Sequence, residues 1–404
     1  MKYIDGGVCS AKGFRAGCMN CGIKAGSTKK DLAMIVSDTM CSAAAVYTTN
    51  KVKGAPLAVT REHLINGTAQ AVICNSGNAN TCAPNGVEIA EKTCEITGSA
   101  LGLAAEDIIV CSTGVIGQEL SIKPFEYGVP KLAEKVSYNG GQEAAEAIMT
   151  TDTIPKSIAV EFEIDGKTCY IGGIAKGSGM IDPNMATMLS FITTDAAVSP
   201  EMLDKALKAD VKTSYNQICV DGDMSTNDTV AVLANGMAGN DEIAEAGTEF
   251  DVFCEALAMV TRYLAKKLAR DGEGATKLIE CQVKGAPDHE IAARISKTVI
   301  SSNLLKAAIF GADANWGRVL CAIGYADGEF STENIDVEMA SAKGRVLVCQ
   351  GSRHKEYSEE EASKILGEEE IQIYVDMHQG NESATAWGCD LTYDYVKING
   401  DYRS

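Results

Sequence analysis

The sequence predicts a mixed α/β fold built as layered sheets covered by helices. Three observations carry this. Short β-branched runs alternate with helically spaced segments along the whole chain. One tight hairpin is written at Asp165-Gly166, between the strand-like runs "SIAVEFEI" and "KTCYIGGIA". Finally, 39 glycines against eight prolines, with 46% apolar residues, describe many tight turns around a sizeable core, not a disordered chain.

Taken in order, "AQAVICN" reads as a buried strand that ends in a polar loop from Asn75 to Asn80. "GVEIAEKTCEITGSALG" has helical spacing, and "EDIIVCSTGVIGQEL" is a strand that ends in a Thr-Gly turn. "GQEAAEAIMTT" is a helix that stops at a threonine cluster. After the hairpin, "MLSFITTDAAV" (188–198) reads as a strand. "SPEMLDKALKADVKTSYNQI" (199–218) reads as a helix, capped by Ser199 with Pro200 at its first position. A long helix covers "GTEFDVFCEALAMVTRYLAKKLAR", its basic last turn matched to the helix dipole. "IECQVKGA" is a strand, and "DHEIAARISKTVISSNLLKAAIFG" (288–311) one long helix. Ser358 and Glu361 stand at capping-box spacing at the start of "YSEEEASKIL", and "EIQIYVDM" alternates as a half-buried strand.

Composition excludes several functions. The net charge of −19 argues against nucleic acid and anionic membrane, which both require local positive charge. No run of about 20 apolar residues is present, so no membrane span is expected. "MKYIDGGVCSAKGF" lacks a signal-peptide pattern, which makes the cytoplasm the expected compartment. The fifteen cysteines lie singly in apolar contexts and read as small buried hydrophobes of a reducing compartment. Cys18 and Cys21 form the one close pair; without a second CxxC no zinc site, and no other metal or cofactor, is expected. The four histidines avoid Gly-rich segments, and no HExxH, G-x-S-x-G or phosphate-binding loop signature occurs.

What remains is "KGSGMIDPNMATML" (176–189), an irregular loop set against a strand with Thr187 at the junction. A threonine at a strand start is ordinarily only a β-former. If the bond before it is cut, however, its new α-amino group, with a pKa of about 7.7–8.0, lies beside its own hydroxyl and serves as a base near neutral pH. Such general-base help is worth roughly 10² to 10⁴ in rate. The threonine hydroxyl can make that cut by attacking the preceding carbonyl, provided the loop is irregular and hydrogen-bond donors are near. Gly177, Gly179 and Pro183 supply the irregular backbone.

This stretch resembles the self-cleavage signature of the ornithine acetyltransferase family, the glutamate N-acetyltransferases of arginine biosynthesis. "GFRAGCMNCGIK", "CSTGVIGQ", "AIMTTDT", "VDGDMSTNDT", "DGEGATK", "FGADANWGRVL" and "NGDYRS" resemble that family's other blocks, in its order and over nearly the whole chain. The resemblance implies a self-cleaving, threonine-nucleophile acetyltransferase fold. Cleavage between Ala186 and Thr187 gives an α chain, 1–186, and a β chain, 187–404, which stay together as two of each. Thr187 is then the nucleophile, taking the acetyl group from N-acetylornithine; ornithine leaves, glutamate enters and N-acetylglutamate is released. Thr113 and Gly114 match the oxyanion-hole pair. Thr150, Lys176, Glu273, Asn399 and Ser404 match substrate-binding positions, with Thr151 leaving the register at Thr150 open by one. Lys176 would suit the α-carboxylate common to both substrates, and Glu273, between glycines, a ligand ammonium. Asn399 and Ser404 require the tail to fold back into the site. "MSTNDT" and "ADANWGR" receive no role. Acetyl-CoA stays open as a second acetyl donor, since no CoA loop is recognisable. The rival readings are an amidohydrolase or aminopeptidase using the same threonine, and an uncleaved binding protein.

Overall fold

The computed structural model describes residues 1–24, 26–182 and 188–401. The expected Asp165-Gly166 hairpin is present: strand Lys156–Ile164 pairs antiparallel with Lys167–Lys176, and both turn residues have positive φ (51° and 69°), as a type I′ turn requires. Around it, nine strands of the described residues form one sheet. Its path runs Lys2–Ile4, Lys156–Ile164, Lys167–Lys176, Leu189–Thr194, Thr229–Ala234, Leu32–Tyr47, Thr68–Asn75 and Ile108–Ser112, with Phe14–Met19 also on Leu32–Tyr47.

The 16-residue strand Leu32–Tyr47 shapes this sheet. Its first half pairs with Thr68–Asn75, its second with Thr229–Ala234, and the register shifts between Val36 and Cys41. A bulge of this kind bends a strand. Here it folds the sheet so that two halves face each other. Alternate residues record the two faces. Ala33, Ile35, Val72 and Cys74 of one half share an inner core with Leu189, Phe191, Ala231 and Leu233 of the other. On the outside of the first half, Leu32, Met34 and Ile73 pack against Ile89, Cys94, Phe125 and Val129, which lie on helices. On the outside of the second, Val160, Ile171 and Val230 meet Phe253, Leu257, Val260 and Leu264 of helix Thr248–Arg270. The result is four layers, helix–sheet–sheet–helix.

Helix Thr248–Arg270 follows its expected bounds closely, with buried residues every three or four positions. It also contacts Glu382–Cys389 of a second, seven-stranded sheet, whose core is separate. That sheet carries two other expected strands, Leu278–Ala286 and Glu370–Asp376, paired parallel.

Two expected helices are shorter than their spacing suggests. The stretch 288–311 divides into His289–Ser301 and Asn303–Phe310, because Ser302 takes an extended conformation (ψ 110°) and its hydroxyl accepts from Leu305 N, capping the second helix. The helix expected over 199–218 ends at Asp210, where Ser214 Oγ donates to Asp210 O and competes with further winding. Its expected cap is correct: Ser199 accepts from Met202 N. The strand expected over 188–198 spans Leu189–Thr194.

A β-carbon at Gly166 would meet nothing within 4 Å, so only its left-handed backbone demands glycine. Gly166→Ala is expected to lower stability by about 1 kcal/mol in urea unfolding, with an unchanged m-value; an unaltered midpoint would contradict the turn.

Candidate active site

The polar loop after strand Thr68–Asn75 is organised by its own amides. Asn75 Oδ1 accepts from Gly77 N and Asn78 N at 3.1 and 3.0 Å, and Asn75 Nδ2 donates to Ser112 Oγ at 2.7 Å. Thr113 N donates to Asn75 O at 2.9 Å, setting the Thr113-Gly114 turn beside this loop. Gly114 sits at φ 130°, and a β-carbon there would lie 2.9 Å from Asn78 N. Only glycine lets the turn approach so closely.

Strand Lys167–Lys176 brings Lys176 opposite Leu189. Lys176 is buried, with 8% of its surface exposed, and donates to Thr150 Oγ1 at 2.7 Å and Thr113 Oγ1 at 3.4 Å. Burial lowers the pKa of its ammonium, against the opposing pull of the nearby Asp152 charge. The adjacent Thr151 Oγ1 lies 2.7 Å from Ser178 Oγ instead. The two candidate threonines are thus distinguished by partner: Thr150 is the one that meets Lys176.

Glu273 enters from the turn after helix Thr248–Arg270. Its N–H donates to Ser178 O at 2.7 Å, and its carboxylate lies on Gly179, where a β-carbon would come within 2.5 Å of it. Asn399 Nδ2 donates to Glu273 Oε2 at 2.8 Å from helix Tyr393–Asp401, so the C-terminal segment folds back as expected. Thr113, Gly114, Thr150, Lys176, Glu273 and Asn399 line one cavity of about 150 Å³. They are six of the nine expected site positions. Ala186, Thr187 and Ser404, the other three, lie outside the described residues.

Both flanks of the expected cleavage segment are held. Upstream, the Asp221 carboxylate accepts from Met180 N at 2.6 Å and Ile181 N at 2.8 Å. Met180 has φ 55°, in the left-handed region, which costs a side-chain-bearing residue roughly 1–2 kcal/mol. Downstream, Met188 O accepts from Thr229 N at 2.9 Å.

Several site residues gave no legible signal. Lys156 is fully buried and donates at 2.6 Å to both Asp152 Oδ1 and Asp271 Oδ2. Asp152 also accepts from Gly177 N at 2.6 Å and Thr150 N at 3.1 Å. One ammonium therefore locks the threonine loop, the start of the glycine loop and the turn that carries Glu273. The "MSTNDT" block gains a physical role. Asn227 Nδ2 donates to Ser112 O and Ala79 O, and its Oδ1 accepts from Thr81 Oγ1. Asp228, 1% exposed, lines the same cavity, and its Oδ2 has no hydrogen-bond partner among the described residues. Burial raises its pKa well above the usual carboxylate range, despite hydrogen bonds from Ser225 and Thr48. No group of three or more His, Cys, Asp or Glu arranged to hold a metal occurs among the described residues.

The arrangement offers two donors at one turn, a buried lysine, a buried acid whose pKa is raised and a carboxylate–amide pair around a small polar space. That suits acyl transfer to and from a hydroxyl. Comparison with known proteins agrees. Residues 15–404 match the ArgJ family. The "Arginine biosynthesis bifunctional protein ArgJ" of Caldanaerobacter subterraneus subsp. tengcongensis is 49% identical over 405 residues, covering 100% of both chains. The protein of the same name from Geobacillus kaustophilus is 48% identical, over 99% of this chain and 97% of that one. The crystal structure of the arginine biosynthesis bifunctional protein argJ from Bacillus halodurans superposes with a TM-score of 0.51 at 46% identity, covering 54% of this chain and 100% of that one.

The two buried acids carry opposite pH signatures. Burial alone would raise Asp152, but the Lys176 and Lys156 charges and the Gly177 N–H hold it at about 2, against 3.8 for a free aspartate. Its stabilisation, roughly 2 kcal/mol at about 1.4 kcal/mol per tenfold, is complete above pH 3.8 and disappears as pH falls through about 2. Asp228 is raised, so its contribution is complete below 3.8 and is lost as pH rises toward its folded-state value. Urea titrations across pH are expected to lose the acid-limb slope in Asp152→Asn and a slope above pH 3.8 in Asp228→Asn; identical profiles for both variants and the parent would contradict these assignments.

Proposed function

The chain belongs to the ArgJ family, and from that premise we propose the reaction it performs and the residues that perform it. It is an acetyltransferase of arginine biosynthesis. In our reading Thr187 Oγ attacks the Ala186 carbonyl, the resulting ester is hydrolysed, and the chain is left as 1–186 and 187–404 with a free α-amine on Thr187. That amine takes the hydroxyl proton as Thr187 Oγ attacks the acetyl carbonyl of N-acetylornithine. Ornithine leaves with the proton, and the acetyl group stays on Thr187 as an ester. Glutamate then attacks the ester and departs as N-acetylglutamate.

The observation that carries this reading is the convergence of six expected positions, from both sides of the cleavage point, on one cavity that Met188 also lines. Thr113 and Gly114 are the oxyanion donors, each worth about 3 kcal/mol. Lys176 donates to the Thr113 oxygen, which leaves the Thr113 proton for the oxyanion. An ammonium has three donors; two meet Thr113 and Thr150, so the third suits the α-carboxylate of either substrate. Glu273, oriented by Asn399, suits a ligand ammonium, and the family resemblance adds Ser404 as a further substrate-binding residue.

The crystallised Bacillus relative supports the cut. All of that chain matches 54% of this one, and 54% of 404 residues is about 218, the length of 187–404. The word "bifunctional" in the relatives' names supports acetyl-CoA as a second acetyl donor for the same threonine. Fifteen free thiols, ten of them buried, fit a reducing cytoplasm.

On a denaturing gel the protein is expected to run as two bands, of 186 and 218 residues, that merge into one in Thr187→Ala with loss of acetylornithine-to-glutamate transfer. Thr187→Ser keeps a hydroxyl and is expected still to be cut. Transfer by the uncut Thr187→Ala protein would overturn the mechanism, and hydrolysis of acetylornithine without dependence on glutamate would favour an amidohydrolase.

A further inference from the structure

The chain carries a net charge of −19, yet Lys24, Lys29 and Lys30 place three ammonium groups within seven positions just before strand Leu32–Tyr47. Among the described residues none of the three is in an ion pair. The adjacent acid, Asp31, is engaged elsewhere: its carboxylate accepts from Cys21 N and Ile23 N at 2.7 Å and from Lys24 N at 3.3 Å. Asn20 Nδ2 donates to Ser27 O at 3.1 Å and to Lys29 O. These bonds hold the backbone while the lysine heads stay unpaired.

This basic group adjoins the acyl-transfer site. Ile23 and Lys24 rest on Gly77, where a β-carbon would meet Lys24 N at 2.8 Å, and Gly77 rests in turn against Gly114. Between them is a second cavity of about 160 Å³. Lys24, Lys29 and Lys30 line one side of it, and Gly114 and Thr150, which also line the acyl-transfer cavity, line the other.

We propose that Lys24, Lys29 and Lys30 bind the phosphate groups of a phosphorylated acyl-thioester donor, acetyl-CoA, whose acetyl end reaches Thr113-Gly114 through the shared wall. The proposal rests on the second-donor reading above and supplies the site that reading lacks. Acetylornithine needs no further cation, because Lys176 and Glu273 of the acyl-transfer cavity suit its carboxylate and ammonium, and glutamate adds only one carboxylate, not a charge that calls for three lysines. A CoA thioester carries its negative charges far from its reacting carbonyl, and that separation matches two cavities joined at one wall. In the transfer step Thr187 Oγ bonds to the thioester carbonyl carbon, the carbon–sulfur bond breaks, and the hydroxyl proton passes through the α-amine to the departing sulfur. The products are the acetyl-threonine ester and free CoA thiol.

The test compares the parent with Lys24→Gln/Lys29→Gln/Lys30→Gln, using glutamate as acceptor and three donors: acetyl-CoA, S-acetylpantetheine without phosphates, and N-acetylornithine. We expect the triple variant to raise KM for acetyl-CoA about tenfold, the sum for three exposed charge pairs, with kcat nearly unchanged. KM for S-acetylpantetheine and N-acetylornithine should move less than about twofold, and added salt should narrow the difference for acetyl-CoA alone. An unchanged KM for acetyl-CoA, or an equal loss with all three donors, overturns the phosphate site. A parent enzyme active with N-acetylornithine but inert with acetyl-CoA overturns the second-donor reading and this site with it, while leaving the acetylornithine reaction intact.

Discussion

Two strands from beyond the expected cut, Leu189–Thr194 and Thr229–Ala234, are wedged into a sheet whose outer members all precede it. One is antiparallel to Lys167–Lys176, the other antiparallel to Leu32–Tyr47, and they are parallel to each other. Every residue of both is buried. Removing either fragment would expose two strand edges and both faces of the wedge. Severing the bond between Ala186 and Thr187, as proposed, would therefore change connectivity without releasing the pieces. The same wedge positions the chemistry, since Lys176 stands opposite Leu189 and Asp228 immediately precedes the second strand.

The charges beneath the site tell a related story. Taking Lys156, Asp152 and Asp271 out of water costs several kcal/mol per ion, and mutual attraction offsets this only with complete hydrogen bonding. That condition is met: Asp152 accepts from Lys156, Gly177 and Thr150, and Asp271 from Lys156 and Thr153. The gain lies in geometry more than in stability. Lys156 and Asp152 precede the proposed cut and Asp271 follows it, so the cluster fixes the distance between the threonine loop and the Glu273 turn across that position.

Much of this was legible in the residues. Local chemistry wrote the Asp165-Gly166 hairpin, the Ser199 cap, the Asn75 loop and the Thr113 turn, because each is decided by neighbours a few positions away. Motif resemblance, not periodicity, singled out Lys176, Glu273 and Asn399, which the fold brings to one cavity. The bend in Leu32–Tyr47 was not legible, since "SDTM" within it marks a bulge only once two different partners are known. Nor was Lys156, which reads as an ordinary strand-start lysine until Asp271, 115 positions later, is placed beside it. The break at Ser302 was missed because apolar spacing continues through it; a serine poised to cap was the available sign.

Mass spectrometry of the active enzyme, stopped after mixing with N-acetylornithine and no glutamate, addresses the central claim most directly. The account predicts two polypeptides that meet at positions 186 and 187, with one acetyl group added to the 218-residue piece at its N-terminal threonine, and loss of that group once glutamate is supplied. An unbroken 404-residue chain that still transfers acetyl groups, or an acetyl group fixed to another side chain, would contradict it.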